Sequence, residues 1–412
     1  MKAGWQTEKL GEVCSLLNRG VSPKYLEEGG VAVLNQKCVR DHLVGYEQSR
    51  RHDQVAKPVS IERFIQLGDV LVNSTGTGTL GRVAQVREEP PEPTTVDSHV
   101  TIARPKPNKF YPEFFGYMLI FIEEAIKEAG EGCGGQTELA RSVLAEKFQV
   151  SYPSAHSEQQ RIVTILDEAL EGIDTATANA KKNLANAREL FESYLQSVFT
   201  NKGEGWVERK LGEKNLLAMI DGDRGSNYPK ASDFQEVGDC LFMNTKNVRP
   251  NGFEFETTMF ITNEKDSQLR KGKLIRNDIV MTTRGTIGNI GLYSHDVPFD
   301  NVRINSGMLI FRVNQNQILP AFLFELFRSH IIKSQIKKHT SGAAQPQLPI
   351  NTLVNFTIPV PNNLQTQQTI VDNMGKLFAE TERLEAIYQQ KRTALDELKK
   401  SILNQAFSGQ LN

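Results

Sequence analysis

The sequence has little that announces chemistry. Its four cysteines, Cys14, Cys38, Cys133 and Cys240, have the spacing of neither a zinc site nor a disulfide framework. Its seven histidines are scattered as His42, His52, His99, His156, His295, His330 and His339, and none belongs to a His-Glu-x-x-His zinc motif. There is no hydrolase nucleophile elbow and no glycine-rich strand–helix signature for an adenine cofactor. No run approaches the ~18 apolar residues of a membrane span. The start, Met1-Lys2-Ala3-Gly4-Trp5, lacks the apolar stretch of a signal peptide, so the cytoplasm is the expected location. An excess of one charge is missing too: 48 lysines and arginines face 49 aspartates and glutamates, for a net charge of -1. Any nucleic-acid binding must then come from local patches. These absences predict a chain with no metal site, no bound cofactor and no catalysis of its own.

What the sequence has is repetition. A chain of 412 residues is too long for one ordinary core. From Ser157 to Phe199, apolar residues recur three or four apart at Ile162, Leu166, Ala169, Ile173, Ala176, Ala180, Leu184, Ala187, Leu190 and Tyr194. From Thr366 to Phe407 the same holds for Ile370, Met374, Leu377, Leu384, Tyr388, Leu395, Leu398 and Ile402. That spacing puts one stripe on one helix face, and each helix would span about 60 Å. The two stripes are expected to pair with each other, since either alone exposes a long apolar seam.

The repeats are in register. Leu190, Ser193, Leu195 and Phe199 return as Leu398, Ser401, Leu403 and Phe407, all 208 residues on. Gln159-Gln160-Arg161-Ile162-Val163 returns as Gln367-Gln368-Thr369-Ile370-Val371. Gly4-Trp5 and Lys9-Leu10-Gly11-Glu12 return as Gly205-Trp206 and Lys210-Leu211-Gly212-Glu213. A duplicated unit followed each time by a long helix is the reading that accounts for agreement at both ends. It gives regions at 1–150, 154–200, 205–361 and 365–408. Within the first, strands are expected at Gly30–Leu34, Val70–Val72, Arg82–Val86 and Val96–Ala103, with a helix over Phe114–Ala129 and a helix cap at Ser154 or Ser157. Within the second, strands are expected at Leu241–Met243, Ile279–Met281 and Met308–Val313, with a helix over Phe322–Lys337.

Two features recur inside the repeat. One is a basic pair beyond a strand: Lys37 and Arg40 in the first half, Lys246 and Arg249 in the second. These suit DNA phosphates, and equally a solvated strand end. The other is a polar glycine loop, Asn73 to Gly81 and Thr282 to Asn289. Neither loop has the lysine and hydroxyl residue that follow the last glycine of a P-loop. Each is either a tight turn or a surface presenting hydroxyls, amides and N–H groups to DNA. The candidates are Ser74, Thr75 and Thr77, and Thr283, Arg284, Thr286 and Asn289. Arg284 stands where the first half has Thr75, so the two loops differ in what they contact. Between such islands the halves diverge, which suggests two related sites with different preferences.

This order of segments resembles the specificity subunit of type I restriction–modification systems. The resemblance rests on the two Gly-Trp…Lys-Leu-Gly-Glu starts, the paired strand–glycine-loop segments, the Gln-Gln-x-Ile-Val helix starts and the Leu-x4-Leu-x3-Phe helix ends. It implies an α+β chain: two mixed α/β target-recognition domains joined by two long antiparallel coiled-coil helices, with an internal pseudo-two-fold duplication. It implies that each domain reads one part of a split target in double-stranded DNA. It further implies two adenine methyltransferase subunits and motor–nuclease subunits as partners. S-adenosylmethionine, ATP and Mg2+ would belong to those partners. The same helices would also suit a coiled-coil adaptor that binds only proteins.

Overall fold

The apolar run before each glycine loop is an inner strand of a four-stranded antiparallel sheet and the run after it an edge strand, and this happens twice. The computed structural model describes residues 4–133, 136–340 and 347–411, without the side chains of 131–133 and 136. Met1–Ala3 and the Cys133 side chain therefore lie outside the described residues. The chain forms two compact units, Met1–Lys181 with Gln389–Asn412, and Lys182–Tyr388.

In the first unit the sheet order is Cys14–Arg19, Val100–Pro105, Val70–Asn73, Val83–Gln85. In the second it is Leu217–Asp221, Met308–Val313, Ile279–Thr282, Ile290–Leu292. A smaller sheet adjoins each. Its parallel pair is Val31–Leu34 with Thr94–Val96 in the first unit and Cys240–Met243 with Val302–Ile304 in the second. Central strands such as Val70–Asn73 and Ile279–Thr282 are buried along their whole length, which explains their unbroken apolar character. Each unit is closed by a ribbon that pairs its first strand with its last: Trp5–Lys9 with Gln149–Pro153, and Trp206–Lys210 with Thr357–Pro361.

The repeated motifs are the joints of this frame. Glu12 and Glu213 accept from the backbone N–H groups of Lys9 and Lys210, at 3.1 and 2.8 Å. Leu10 and Leu211 are fully buried. Asp69 holds Arg104 in two bonds of 2.7 Å, and Asp278 holds Arg312 at 2.9 and 2.7 Å. Gln159, with no exposed surface, accepts from Tyr111 N at 2.7 Å and donates to Pro153 O at 2.8 Å. Gln367 repeats this with Leu319 N at 2.8 Å and Pro361 O at 2.9 Å. These amides tie the start of each long helix to the residue preceding Pro112 or Pro320, so burying them leaves no amide group unsatisfied.

Several boundaries differ from expectation. The strand expected over Val96–Ala103 is two strands, because Asp97–His99 makes a turn with the His99 N–H on Asp97 Oδ1 at 2.9 Å. The helix expected over Phe114–Ala129 breaks at Ile122 into Pro112–Phe121 and Glu123–Glu128. The one expected over Phe322–Lys337 breaks at Ser329, which is extended and bonds back to Leu326 O. The first long helix begins at His156, so Ser157 lies inside its first turn. Ser154 instead donates its hydroxyl to Gly4 O at 3.1 Å.

The long helices run His156–Thr200 and Leu364–Phe407. In the first unit Ile162, Leu166 and Ile173 share a core with Leu403, Ala406 and Phe407, and Leu395 packs against its edge. Arg161 also donates to Leu411 O at 2.9 Å. In the second unit Arg188 pairs with Glu385 at 2.9 Å, and Phe191 meets Phe378 edge-on at 5.4 Å. Partner numbers fall as those of the first helix rise, so the two segments are antiparallel there. Met374 is buried, and Ile370 packs on the second core. Ala180 is buried, while Ala169, Ala176, Leu377, Leu384 and Tyr388 are half-buried. Leu190 and Leu398 depart from the expected stripe: they are 56% and 46% exposed. Phe191 and Leu195 carry the buried face in place of Leu190.

Candidate nucleic-acid interface

In both units the turn after the smaller sheet's central strand lies beside the glycine loop. Asn35 caps the 3-10 turn Gln36–Cys38 by accepting from Lys37 N at 2.9 Å. Asn244 caps Thr245–Asn247 through Lys246 N at 2.7 Å. This places Lys37 and Lys246 outward, and both are exposed. Arg40 and Arg249 are exposed as well, but each faces an acid: Asp41 at 3.7 Å for Arg40, and Glu254 for Arg249.

The loop candidates divide into internal braces and outward groups. Ser74 is buried and shares a 2.5 Å hydrogen bond with Thr101. Thr283 is buried, and its hydroxyl donates to Gly307 O at 3.1 Å. Asn289 donates to Val248 O at 2.9 Å, which ties the loop to the neighbouring hairpin. Thr286 has an exposed side chain, and its carbonyl takes the Thr282 hydroxyl. Thr77 is exposed and already engaged in an interaction. These burial patterns separate Ser74, Thr283 and Asn289 from Arg284, which is exposed and makes no side-chain hydrogen bond or ion pair among the described residues.

Two concave polar surfaces sit beside these turns. The first, about 630 Å³, is lined by Tyr25, Asn35, Gln36, Lys37, Gln48, Arg50, Asp97 and His99. Arg50 lies over the Tyr25 ring at 3.6 Å, a cation–π contact that fixes the guanidinium. Its neighbours Arg51 and His52 point elsewhere, onto Glu92 at 2.7 Å and into the core. Burial pushes the Asp97 carboxyl above its ordinary range, against the N–H of His99. The second surface, about 320 Å³, includes Asp221, Arg224, Arg284, Gln347 and Asn351. Sequence alone does not mark Gln36 or Arg224 as surface-forming residues, whereas Arg50 stands in a visible basic run, Arg50-Arg51-His52, found only in the first half. Strand alternation alone would have separated Arg50 from Arg51.

Burial pushes the Cys14 and Cys240 thiols up to about 12, which removes them as nucleophiles. No group of three or more metal-ligating side chains occurs among the described residues. No helix among them is long and apolar enough to cross a membrane. What both surfaces can do is hydrogen-bond and attract anions.

Comparison with known proteins agrees with this geometry. Residues 2–186 and 203–391 match the type I restriction modification DNA specificity domain. The chain is 29% identical over 342 residues to the type I restriction enzyme EcoBI specificity subunit of Escherichia coli, covering 78% of this chain and 70% of that one. It is 26% identical over 153 residues to the HindI specificity subunit of Haemophilus influenzae, covering 37% and 32%. Its fold is similar to a chain solved in work on complex assembly and conformational transition of the type I R-M system, with a TM-score of 0.79 at 17% identity over 100% of this chain and 99% of that one. The HsdS subunit from Thermoanaerobacter tengcongensis superposes with a TM-score of 0.60 at 18% identity, over 100% and 98%. With two copies of the family domain filling most of its length, the chain belongs to the type I restriction–modification DNA specificity family.

Proposed function

We propose that this chain, the non-catalytic specificity subunit of a type I restriction–modification system, reads a split double-stranded DNA target with one recognition region per half. The observation that carries the reading is a duplicated hydrogen-bonded frame displaying different side chains. A repeated frame suits repeated docking on one kind of ligand, and divergent displayed groups suit different sequences. In this reading the long helices form an antiparallel coiled-coil spacer, and the two halves are related by a pseudo-two-fold axis. Two adenine methyltransferase subunits and the motor–nuclease subunits are the partners. S-adenosylmethionine, ATP and Mg2+ belong to them, and the assembly works in the cytoplasm. The repeat-matched, exposed Leu190 and Leu398 support two equivalent protein contacts on the helices.

The test is to replace residues 4–150 with the same region of a relative, supply a methyltransferase subunit, and map methylated adenines by sequencing. One half of the recognised sequence should change while the other stays. A change across both halves would reject independent reading. A chain that directs no DNA methylation with any cognate methyltransferase would favour the protein-only adaptor.

A further inference from the structure

Three backbone positions meet at the same place in both units. In the first they are Gln36, Thr75 and His99; in the second, Thr245, Arg284 and Gly307. The sequence offsets are 209, 209 and 208 residues, and the bonds match. Ser74 N donates to His99 O, and Thr283 N to Gly307 O, each at 2.8 Å. Asp97 N donates to Leu34 O at 2.9 Å, and Asn305 N to Met243 O at 3.0 Å. Leu139 N donates to Ser74 O, and Leu348 N to Thr283 O, at 2.8 and 3.0 Å. Thr75 bridges to Glu138 as Arg284 bridges to Gln347. The frame is constant while all three side chains differ.

The differences compensate in size. Thr75 is small and His99 large; Arg284 is large and position 307 has no side chain. A Cβ on Gly307 would come within 3.1 Å of the Thr245 methyl and 3.8 Å of Arg284 Cβ. Glycine there leaves the arginine its space.

The hydrogen-bonding faces also differ. Gln36 Nε2 lies 2.7 Å from Thr75 O and 2.6 Å from Thr75 Oγ1. A carbonyl only accepts, so the nitrogen must face it and Oε1 points away as a free acceptor. Thr75 Oγ1 is 2.7 Å from His99 Nδ1. Gln36 takes one lone pair of Oγ1, and where the threonine hydroxyl donates to Nδ1 the neutral ring carries its proton on Nε2. In that tautomer the exposed His99 adds a donor to the Gln36 acceptor, and the first set displays one of each. The second displays the Arg284 guanidinium, which only donates.

We propose that these three positions determine specificity in each half. The first set matches a base edge with both a donor and an acceptor, as adenine N6 and N7 provide. The second matches the acceptor pair O6 and N7 of guanine. This rests on the reading that these surfaces face DNA.

The experiment uses the full chain with its methyltransferase partner and maps methylated sites for wild type, Gln36→Leu, Arg284→Thr and Arg284→Lys. The wild-type motif should contain adenine in one half and guanine in the other. Gln36→Leu should relax one adenine position in the first half, and Arg284→Thr one guanine position in the second, each by roughly ten- to hundredfold. Arg284→Lys keeps the charge but loses the two-pronged fork, so it should bind DNA and still lose the guanine preference. Unchanged base preferences in a split motif overturn the proposal and leave the DNA reading standing. Equal loss at every sequence also overturns it, because that is the behaviour of a phosphate clamp. A wild-type complex with no split motif overturns both.

Discussion

At the scale of single residues, part of the charge in this chain serves as internal fastening. Glu123 shows how. It lies 2.8 Å from His42 Nε2 and 2.8 Å from Lys127 Nζ, and Lys399 Nζ is 3.5 Å from His42 Nδ1. Burial works against its charged form, but the bonds to His42 and Lys127 outweigh burial and hold the carboxyl below the ordinary range. A lowered folded value means stability that is present above the unfolded value of about 4.3 and lost as pH falls through the folded one. Glu123→Gln should therefore cost about 1–3 kcal/mol at pH 7, and the cost should shrink as pH falls below the unfolded value of about 4.3. Urea unfolding of both proteins across that range measures it. Parallel pH profiles would reject the assignment. The fastening residues were partly legible: Asp69 and Asp278, and Asn35 and Asn244, are identical pairs 209 residues apart, Gln159 and Gln367 a pair 208 apart, and all proved to be joints. Their repetition was visible in sequence. Their roles were not, because each partner lies far along the chain, as Arg104 does from Asp69. The same limit applies to Ser74, Thr283 and Asn289. A hydroxyl or amide in a glycine loop reads as a ligand contact, and only packing reveals that its bond turns inward.

At the scale of elements, periodicity found both long helices but not which leucines face inward. The pattern Leu-x4-Leu-x3-Phe repeats, yet its first leucine is exposed in both copies, at Leu190 and Leu398. A stripe three to four residues wide admits a neighbouring position, and Phe191 fills it beside Phe378. Breaks at Ile122 and Ser329 were equally hidden, since neither residue is a strong helix breaker. The buried small residues are more decisive. Ala180 is 1% exposed, so it leaves no room for a carboxylate. Ala180→Glu should destabilise the chain by a few kcal/mol, with a matching fall in the midpoint of thermal unfolding. Ala176→Glu, at a half-buried position, should cost less. Equal, small effects at both positions would remove Ala180 from the helix-pairing seam.

At the scale of the whole molecule, the proposed function makes the long helices a ruler. Both helices pass through the boundary between the compact units, which falls at Lys181/Lys182 and Tyr388/Gln389. An unbroken helix carries length into geometry in a way a flexible linker does not. Seven residues added at both crossings lengthen each helix by about 11 Å, close to the rise of three base pairs. Seven is nearly two full turns, so the apolar seam stays almost in phase. The three-position sets at the glycine loops lie outside the insertion and should keep their preferences. The expected result is a methylated sequence with both halves unchanged and the gap between them about three base pairs longer. An insertion of only four residues offers a control, because about one turn adds length but rotates the seam by roughly 40°. It should lower stability more than the seven-residue insertion while shifting the gap less. Methylated-site sequencing of the two insertions, with thermal unfolding of each, gives both readouts. A seven-residue variant that folds, directs methylation and keeps the original gap would defeat the ruler while leaving each half's recognition intact.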